Sequence, residues 1–338
     1  MSEHILRKIG QGFRARLRRL LVEYGLLQTV FVVLVALAAP VLAPHDPGDT
    51  YRAFLSAPPM RPHVIAANGA WRSPFVHPLK LVSRLEQRYE EDTSREVPLA
   101  FLSGGKLVRL ADERDGPWLP LGADREGRDV LARLLFGARV SLGVAGLSTL
   151  AALLIGAIAG GLAGYYGGLT DEAIMRLAEF VLVLPAIYVV LALRAAMPLV
   201  LPSWEVFSLM AGIFGLVGWP WVARSVRSVV ATERTRDYAS AAVSLGAGPA
   251  RVLFVHLLPA SRGVIATQAI LLLPSFILAE ATLSYVGLGF PDTVPSWGSM
   301  LHEASNVNAI AEFPWTLAPA AAIFLVTLAA NMLVEEPL

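Results

Sequence analysis

The chain has no cysteine among its 338 residues. That removes disulfides, thiolate zinc sites and cysteine nucleophiles at once. Charge is scarce as well: 16% of residues are charged, against about 25% in soluble domains. With 55% hydrophobic residues and a positive mean hydropathy, the balance points to a membrane protein. Catalytic motifs are also missing. Gly104-Gly105-Lys106-Leu107 lacks both the spacing and the hydroxyl of a phosphate-binding loop. The six histidines are scattered, and His302-Glu303 has no second histidine four residues on, so a zinc-protease reading fails. No serine nucleophile elbow is present. Neither enzymatic activity nor a metal or cofactor site is expected, and a net charge of +1 gives no reason to expect nucleic acid.

What is present is a series of apolar runs. Residues 1–20 carry Arg7, Lys8, Arg14, Arg16, Arg18 and Arg19 against Glu3 alone, which places the N-terminus in the cytoplasm. A first span follows over 21–44, preferred to a cleaved signal peptide because the basic region is long and Pro44 follows the candidate Ala43 site. Residues 45–123 are polar and proline-rich. With 14 basic and 13 acidic residues over 45–140, the segment crosses the membrane regardless of charge because it is long, and is expected to be extracytoplasmic. Within it, residues 80–96 suggest one solvated helix with Leu81, Val82, Leu85 and Tyr89 on its apolar face. Residues 124–142 read as an amphipathic interfacial helix, with Val130, Leu131, Leu134 and Leu135 on one face and Arg128, Asp129 and Arg133 on the other.

Five further spans fill 143–334. The second has Gly156, Gly160, Gly164 and Gly168 at four-residue intervals, a face for close helix packing. The third is broken by Pro185, the fourth bent at Gly218-Trp219-Pro220, and the fifth contains Pro274. Six spans return the 335–338 tail to the cytoplasm. They put the arginine-rich loop 224–262 inside and the loop 289–314, which lacks Lys and Arg, outside. Charges inside the spans are Glu179, Arg194 and Glu280. Glu179 follows Arg176 by three and suits a local pair, and Arg194 can snorkel outward. Glu280 is mid-span and is expected to face other helices or a cavity.

The loop 224–262 holds six arginines against Glu233 and Asp237. It reads as helix to Leu245, a break at Gly246-Ala247-Gly248-Pro249, and a second short helix ended by Pro259. From Tyr238 the side chains are mostly small: Ala239, Ser240, Ala241, Ala242. The residues alone leave two readings: a connector whose alanines favour helix, or a peg whose bare backbone another surface can approach.

Ser240-Ala241-Ala242, followed by Gly246 and a Leu-Pro ending at Pro259, resembles the "EAA" loop of ABC importer permeases, with serine where that pattern has glutamate. Residues 121–142, Gly164-Tyr165-Tyr166-Gly167-Gly168 with Asp171 and Met175-Arg176, 277–289, and Pro295-Ser296-Trp297-Gly298 resemble the "C"-type dipeptide/oligopeptide permeases. Residues 45–120 match less well, and the tail after Asn331 is shorter than the resemblance implies. The implied fold is an all-α polytopic membrane protein with six transmembrane helices of the type I ABC importer permease kind and a long extracytoplasmic insert after the first. The implied function is the permease subunit of an ATP-driven, binding-protein-dependent peptide importer in a bacterial inner membrane. Its implied partners are a homologous second permease, two cytoplasmic ATPases carrying ATP and Mg, an extracytoplasmic solute-binding protein and membrane lipid.

On that resemblance, Asp237, Tyr238, Ala239, Ser240, Ala241, Ala242, Leu245, Gly246 and Pro259 couple to the ATPase. Glu280, Glu179 and Pro274 are pore or intramembrane candidates; Trp297, Asp124 and Arg128 are candidates for facing the binding protein, with plain interfacial anchoring the alternative for Trp297. An ion-coupled carrier, a membrane-anchored interaction protein, and nickel chelates or peptide antibiotics as cargo remain open readings.

Overall fold

The structure, a computed structural model, describes residues 22–66, 69–112, 114, 116–196, 198, 201–291, 293–305 and 311–334. The basic segment 1–20 and the tail 335–338 lie outside the described residues. Two compact units are formed. One holds the chain up to Val30, Gly143–Glu280 and the chain from Leu325; the other holds Phe31–Leu142 and Ala281–Phe324.

The apolar stretches fall on helices. These are α1 (Val22–Leu37) and α2 (Ala39–Leu42), then α3 (Val130–Tyr166), α4 (Gly168–Val183), α5 (Ala186–Ala195), α6 (Ser203–Glu233), α9 (Arg262–Tyr285) and α11 (Ala318–Val334). Among the described residues four helical runs are long and apolar enough to cross a membrane: Val130–Tyr166, Ser203–Glu233, Pro249–Tyr285 and Pro314–Leu333. The α4–α5 pair, bent by 86°, makes a fifth if taken as one span, and α1 is a shorter apolar helix. The bend falls where the sequence places it. Pro185 pushes Leu184 out of the helical region, to φ −70 and ψ 130.

In the first unit α6 is the central member. A Cβ added to Gly156 would come within 2.5 Å of Val222, one on Gly160 would overlap the Ala223 backbone, and one on Gly164 would lie 2.8 Å from the Arg227 carbonyl. The glycine stripe of α3 is therefore the surface on which α6 lies. Gly168 does not belong to it, since nothing lies within 4 Å of its Cβ position. On its other side α6 stacks Phe214 on Phe276 of α9 at 5.6 Å, and Ser225 accepts from Gln268 at 3.0 Å. Gly160→Val is expected to force α3 and α6 apart at a cost of about 1–3 kcal/mol, seen as a lowered unfolding temperature in detergent, whereas Gly146→Val, with open space at its Cβ, should change little.

In the second unit, the insert is a β structure. Its strands are β1 (His63–Ile65), β2 (Trp71–Val76), β3 (Leu79–Ser83), β4 (Arg88–Glu91), β5 (Val97–Ser103) and β6 (Lys106–Leu110). They make a four-stranded antiparallel sheet of order β1-β2-β5-β6 and a separate β3-β4 hairpin. Residues 80–96 are therefore two strands and not the expected helix. The burial of Leu79–Ser83 alternates with period two, and Gln87 at φ 49 turns the chain back. Tyr89 stacks on Phe54 and donates to the Leu55 carbonyl at 2.8 Å; burial pushes its phenol above the usual range. Ala57, Met60, Val76, Leu79, Val97, Leu99, Leu110 and Leu119 form the core beneath.

Candidate coupling loop and buried ion cluster

The loop after α6 is built almost residue by residue from its termination signals. α6 ends at Glu233, and Arg236, extended at φ −78 and ψ 152, precedes the short helix α7 (Asp237–Ser244). Asp237 lies in its first turn, where the helix dipole favours an anion. At the far end Gly246 adopts φ +83. Its N–H donates to the Val243 carbonyl at 2.9 Å and the Ala247 N–H to the Ala242 carbonyl at 3.0 Å. This is a Schellman stop, with Gly246 in the left-handed position that favours glycine. Pro249 then opens α8 (Pro249–Arg251) as its first residue.

Of α7 only Ala239 is buried. Ser240 and Ala241 are exposed, Ala242 is half-buried, and Leu245 is 88% exposed beyond the end. The helix thus stands proud, showing little but backbone and small side chains. Its root is braced. The Tyr238 hydroxyl donates to Glu233 at 2.7 Å, and burial followed by that carboxylate pushes the phenol upward in pKa, so it keeps the proton it donates. Arg234 donates to the Tyr165 carbonyl at the end of α3, and Arg227 of α6 makes a two-pronged pair with Asp171 of α4. The sequence reading used these arginines only to orient the loop; their partners lie 56 and 69 residues away, beyond the reach of local pattern.

Pro259 does not end a helix, contrary to expectation. Val252–Leu257 widens into π-helix, Leu258–Ser261 tightens into 3-10, and the run continues into α9. A proline ring collides with the carbonyl four residues back and offers no N–H. The preceding turn is wide, and the Leu258 N–H bonds five residues back, to Leu253. The loop therefore joins the fifth span without a break in helicity.

Charges inside spans fall as follows. Glu179 and Arg176 make the expected exposed pair at 3.2 Å. Together with Asp171, Glu172, Arg224 and Arg227 they line an open cleft of about 580 Å³ between α4 and α6. Arg194 does not snorkel freely: it is 4% exposed and donates to the Pro198 carbonyl. Pro274 lies inside unbroken α9, and Glu280 is fully buried near its end.

The outer candidates come out differently. The expected helix over 124–142 begins only at Val130 and runs on into the second span. Residues 124–129 form a turn closed by Gly127 at φ +77, where any Cβ would strike the Tyr51 backbone. Its charged face is not solvated. Arg133 is 1% exposed, and donates to Glu303 Oε1 at 2.8 Å and to Asp124. Arg128 donates to Asp124 Oδ2 at 2.8 Å and Glu303 Oε2 at 2.9 Å, and Asp129 meets His45 Nδ1 at 3.0 Å. Asp124 and Arg128 are internal braces and not surface groups. Trp297 opens α10 (Trp297–Glu303) behind a Ser296–Ser299 capping box. Its indole is 2% exposed and donates to the Leu134 carbonyl, so it neither faces a partner nor anchors at an interface. Glu303 and His45 were missed by sequence reading, since nothing local marks a carboxylate 170 residues from its arginine.

Residues 152–335, which contain the whole loop, match the family described as binding-protein-dependent transport system inner membrane component. The chain belongs to that family. It is a multi-pass membrane permease subunit, without catalytic chemistry of its own. This permease is 32% identical over 218 residues to the oligopeptide transport system permease protein OppC of Lactococcus lactis subsp. cremoris, covering 64% of this chain and 72% of the relative. It is 32% identical over 310 residues to the di/tripeptide transport system permease protein DppC of Pseudomonas aeruginosa, covering 91% and 83%. It is 36% identical over 213 residues to the glutathione transport system permease protein GsiD of Pectobacterium atrosepticum, covering 63% and 68%.

Proposed function

We propose that this permease is one half of the pore of a di- or oligopeptide importer, driven by two cytoplasmic ATPases that seat α7 in a groove on their surface. ATP and Mg belong to those partners. A homologous second permease completes the pore, and an extracytoplasmic solute-binding protein delivers cargo. The chain lies in a bacterial inner membrane with both termini cytoplasmic and the insert outside. The peptide, di/tripeptide and glutathione systems named among its relatives support the cargo class.

The observation that carries this reading is the exposed small-residue helix α7, stopped by Gly246 and followed from Pro249 by a helical run that continues into the fifth span. When the ATPases close on nucleotide, the peg moves as a body. Its displacement passes along 249–285 into α9, and through the Arg234 and Arg227 braces into α3 and α4. Single cysteines at Ala241 or Ala242 are unique labels in a chain that otherwise has none. They are expected to crosslink to an ATP-hydrolysing protein in native membranes and to resist impermeant reagents added outside. Labelling from the outer side, or no capture with all partners present, would overturn the assignment.

A further inference from the structure

The β5–β6 hairpin differs from β3–β4 in charge and in what its tip displays. Residues 97–110 carry Lys106 and Arg109 and no acid, whereas residues 79–91 balance Lys80, Arg84 and Arg88 against Glu86, Glu90 and Glu91. At the tip, Leu102 is 79% exposed, Phe101 55% and Leu107 39%. The turn is Gly104-Gly105 with φ 61 and 77, the two-residue form that closes tight hairpins. Leu102 itself sits at φ 51, a conformation branched apolar residues rarely adopt, and holds its side chain out of the core.

The hairpin lies against the end of the first span. β6 runs beside α2, and Lys106 Nζ is 3.4 Å from Asp46 just beyond it. Residues 22–42 rise about 1.5 Å each, or ~30 Å in all, the thickness of the hydrocarbon core. Ala39–Leu42 therefore falls at its boundary. Leu34, Leu37 and Val41 on the same helices are 57%, 67% and 46% exposed, as lipid-facing side chains are.

We propose that the β5–β6 tip dips into the bilayer interface beside the first span, inserting Phe101, Leu102 and Leu107 and setting Lys106 and Arg109 against anionic headgroups. The occupant is lipid because β6 lies beside α2 at the end of the first span, whose flank is apolar and exposed, and a segment with cations and no acid complements phosphate. The proposal rests on the first span lying in the membrane.

The test uses the full chain in lipid nanodiscs, with bimane on a single cysteine in place of Leu102, of Leu85 at the other hairpin tip (100% exposed) or of Leu37. The Leu102 probe is expected to be quenched by doxyl-labelled lipid nearly as strongly as the Leu37 probe. Its iodide quenching should be several-fold weaker than at Leu85. Lipid quenching should rise when phosphatidylglycerol replaces part of the phosphatidylcholine, and that rise should vanish in Lys106→Glu/Arg109→Glu. Iodide access equal to that of Leu85 overturns the proposal, as does shielding from both quenchers, which would mean protein covers the tip. Absence of lipid quenching at Leu37 would remove the membrane placement of the first span itself. Nanodiscs expose both faces, so none of these outcomes depends on which side the insert occupies.

Discussion

Gly246→Val is expected to abolish uptake while the protein still inserts and the ATPase partners still hydrolyse ATP. Gly246 holds φ +83, and a β-branched residue there is strained by roughly 1–3 kcal/mol. Nothing lies within 4 Å of the added Cβ, so the cost falls on the backbone turn and not on packing. The turn can relieve it only by giving up the bonds from Gly246 and Ala247 to Val243 and Ala242. Without them α7 loses its stop and its fixed angle to the run beginning at Pro249. Gly246→Asn, which tolerates left-handed backbone, should retain most transport. Uptake and ATP hydrolysis measured together in proteoliposomes distinguish the two variants. Normal uptake by the valine variant would separate this turn from coupling.

Arg133→Met should be the most damaging single change in the second unit. The guanidinium is 1% exposed between Asp124 and Glu303. Removing it leaves the buried Asp124 and the part-buried Glu303 with Arg128 alone between them, a loss of up to about 3–5 kcal/mol when a buried pair is broken from one side. Arg128 remains bonded to both acids but is already committed to them. Replacing the partner too, as Arg133→Met with Glu303→Leu, removes the stranded charge and should recover most of the lost stability, because an apolar pair of similar volume often equals a buried ion pair. Protease-resistance midpoints of the three proteins in detergent measure this. A single variant as resistant as the parent would show that the cluster does not hold the unit together.

Legibility in the sequence followed the range of the forces involved. Helix stops and starts are local, and Pro185, Gly246 and Pro249 each act where their chemistry places them. The glycine stripe was readable because its period is that of a helix; only Gly168, past the end of α3, fell off it. The failures have separate causes. Residues 80–96 were read by charge density, which is the same for a solvated helix and a two-stranded hairpin, while the deciding period of two spans only Leu79–Ser83. Residues 124–133 looked solvated because Arg128, Asp129 and Arg133 alternate with apolar residues. Their partners, Glu303 and His45, come from distant parts of the chain, and only the folded unit brings them together. Pro259 reads as an end in sequence because the alternative, a widened turn, leaves no mark on composition.

That widened turn gives the shaft between peg and span a particular mechanical character. A helical turn that bonds five residues back carries one residue more than an α-turn, and Val252–Leu257 holds this surplus directly below α9. Twist entering at Pro249 is carried along the run, because its helical path is unbroken from there to Tyr285. Along the axis, the same segment can yield by about one residue's rise, ~1.5 Å, through re-pairing of its carbonyls and without unravelling. If α7 is driven as proposed, a displacement entering at Pro249 is expected to reach α9 as a turn more faithfully than as a push.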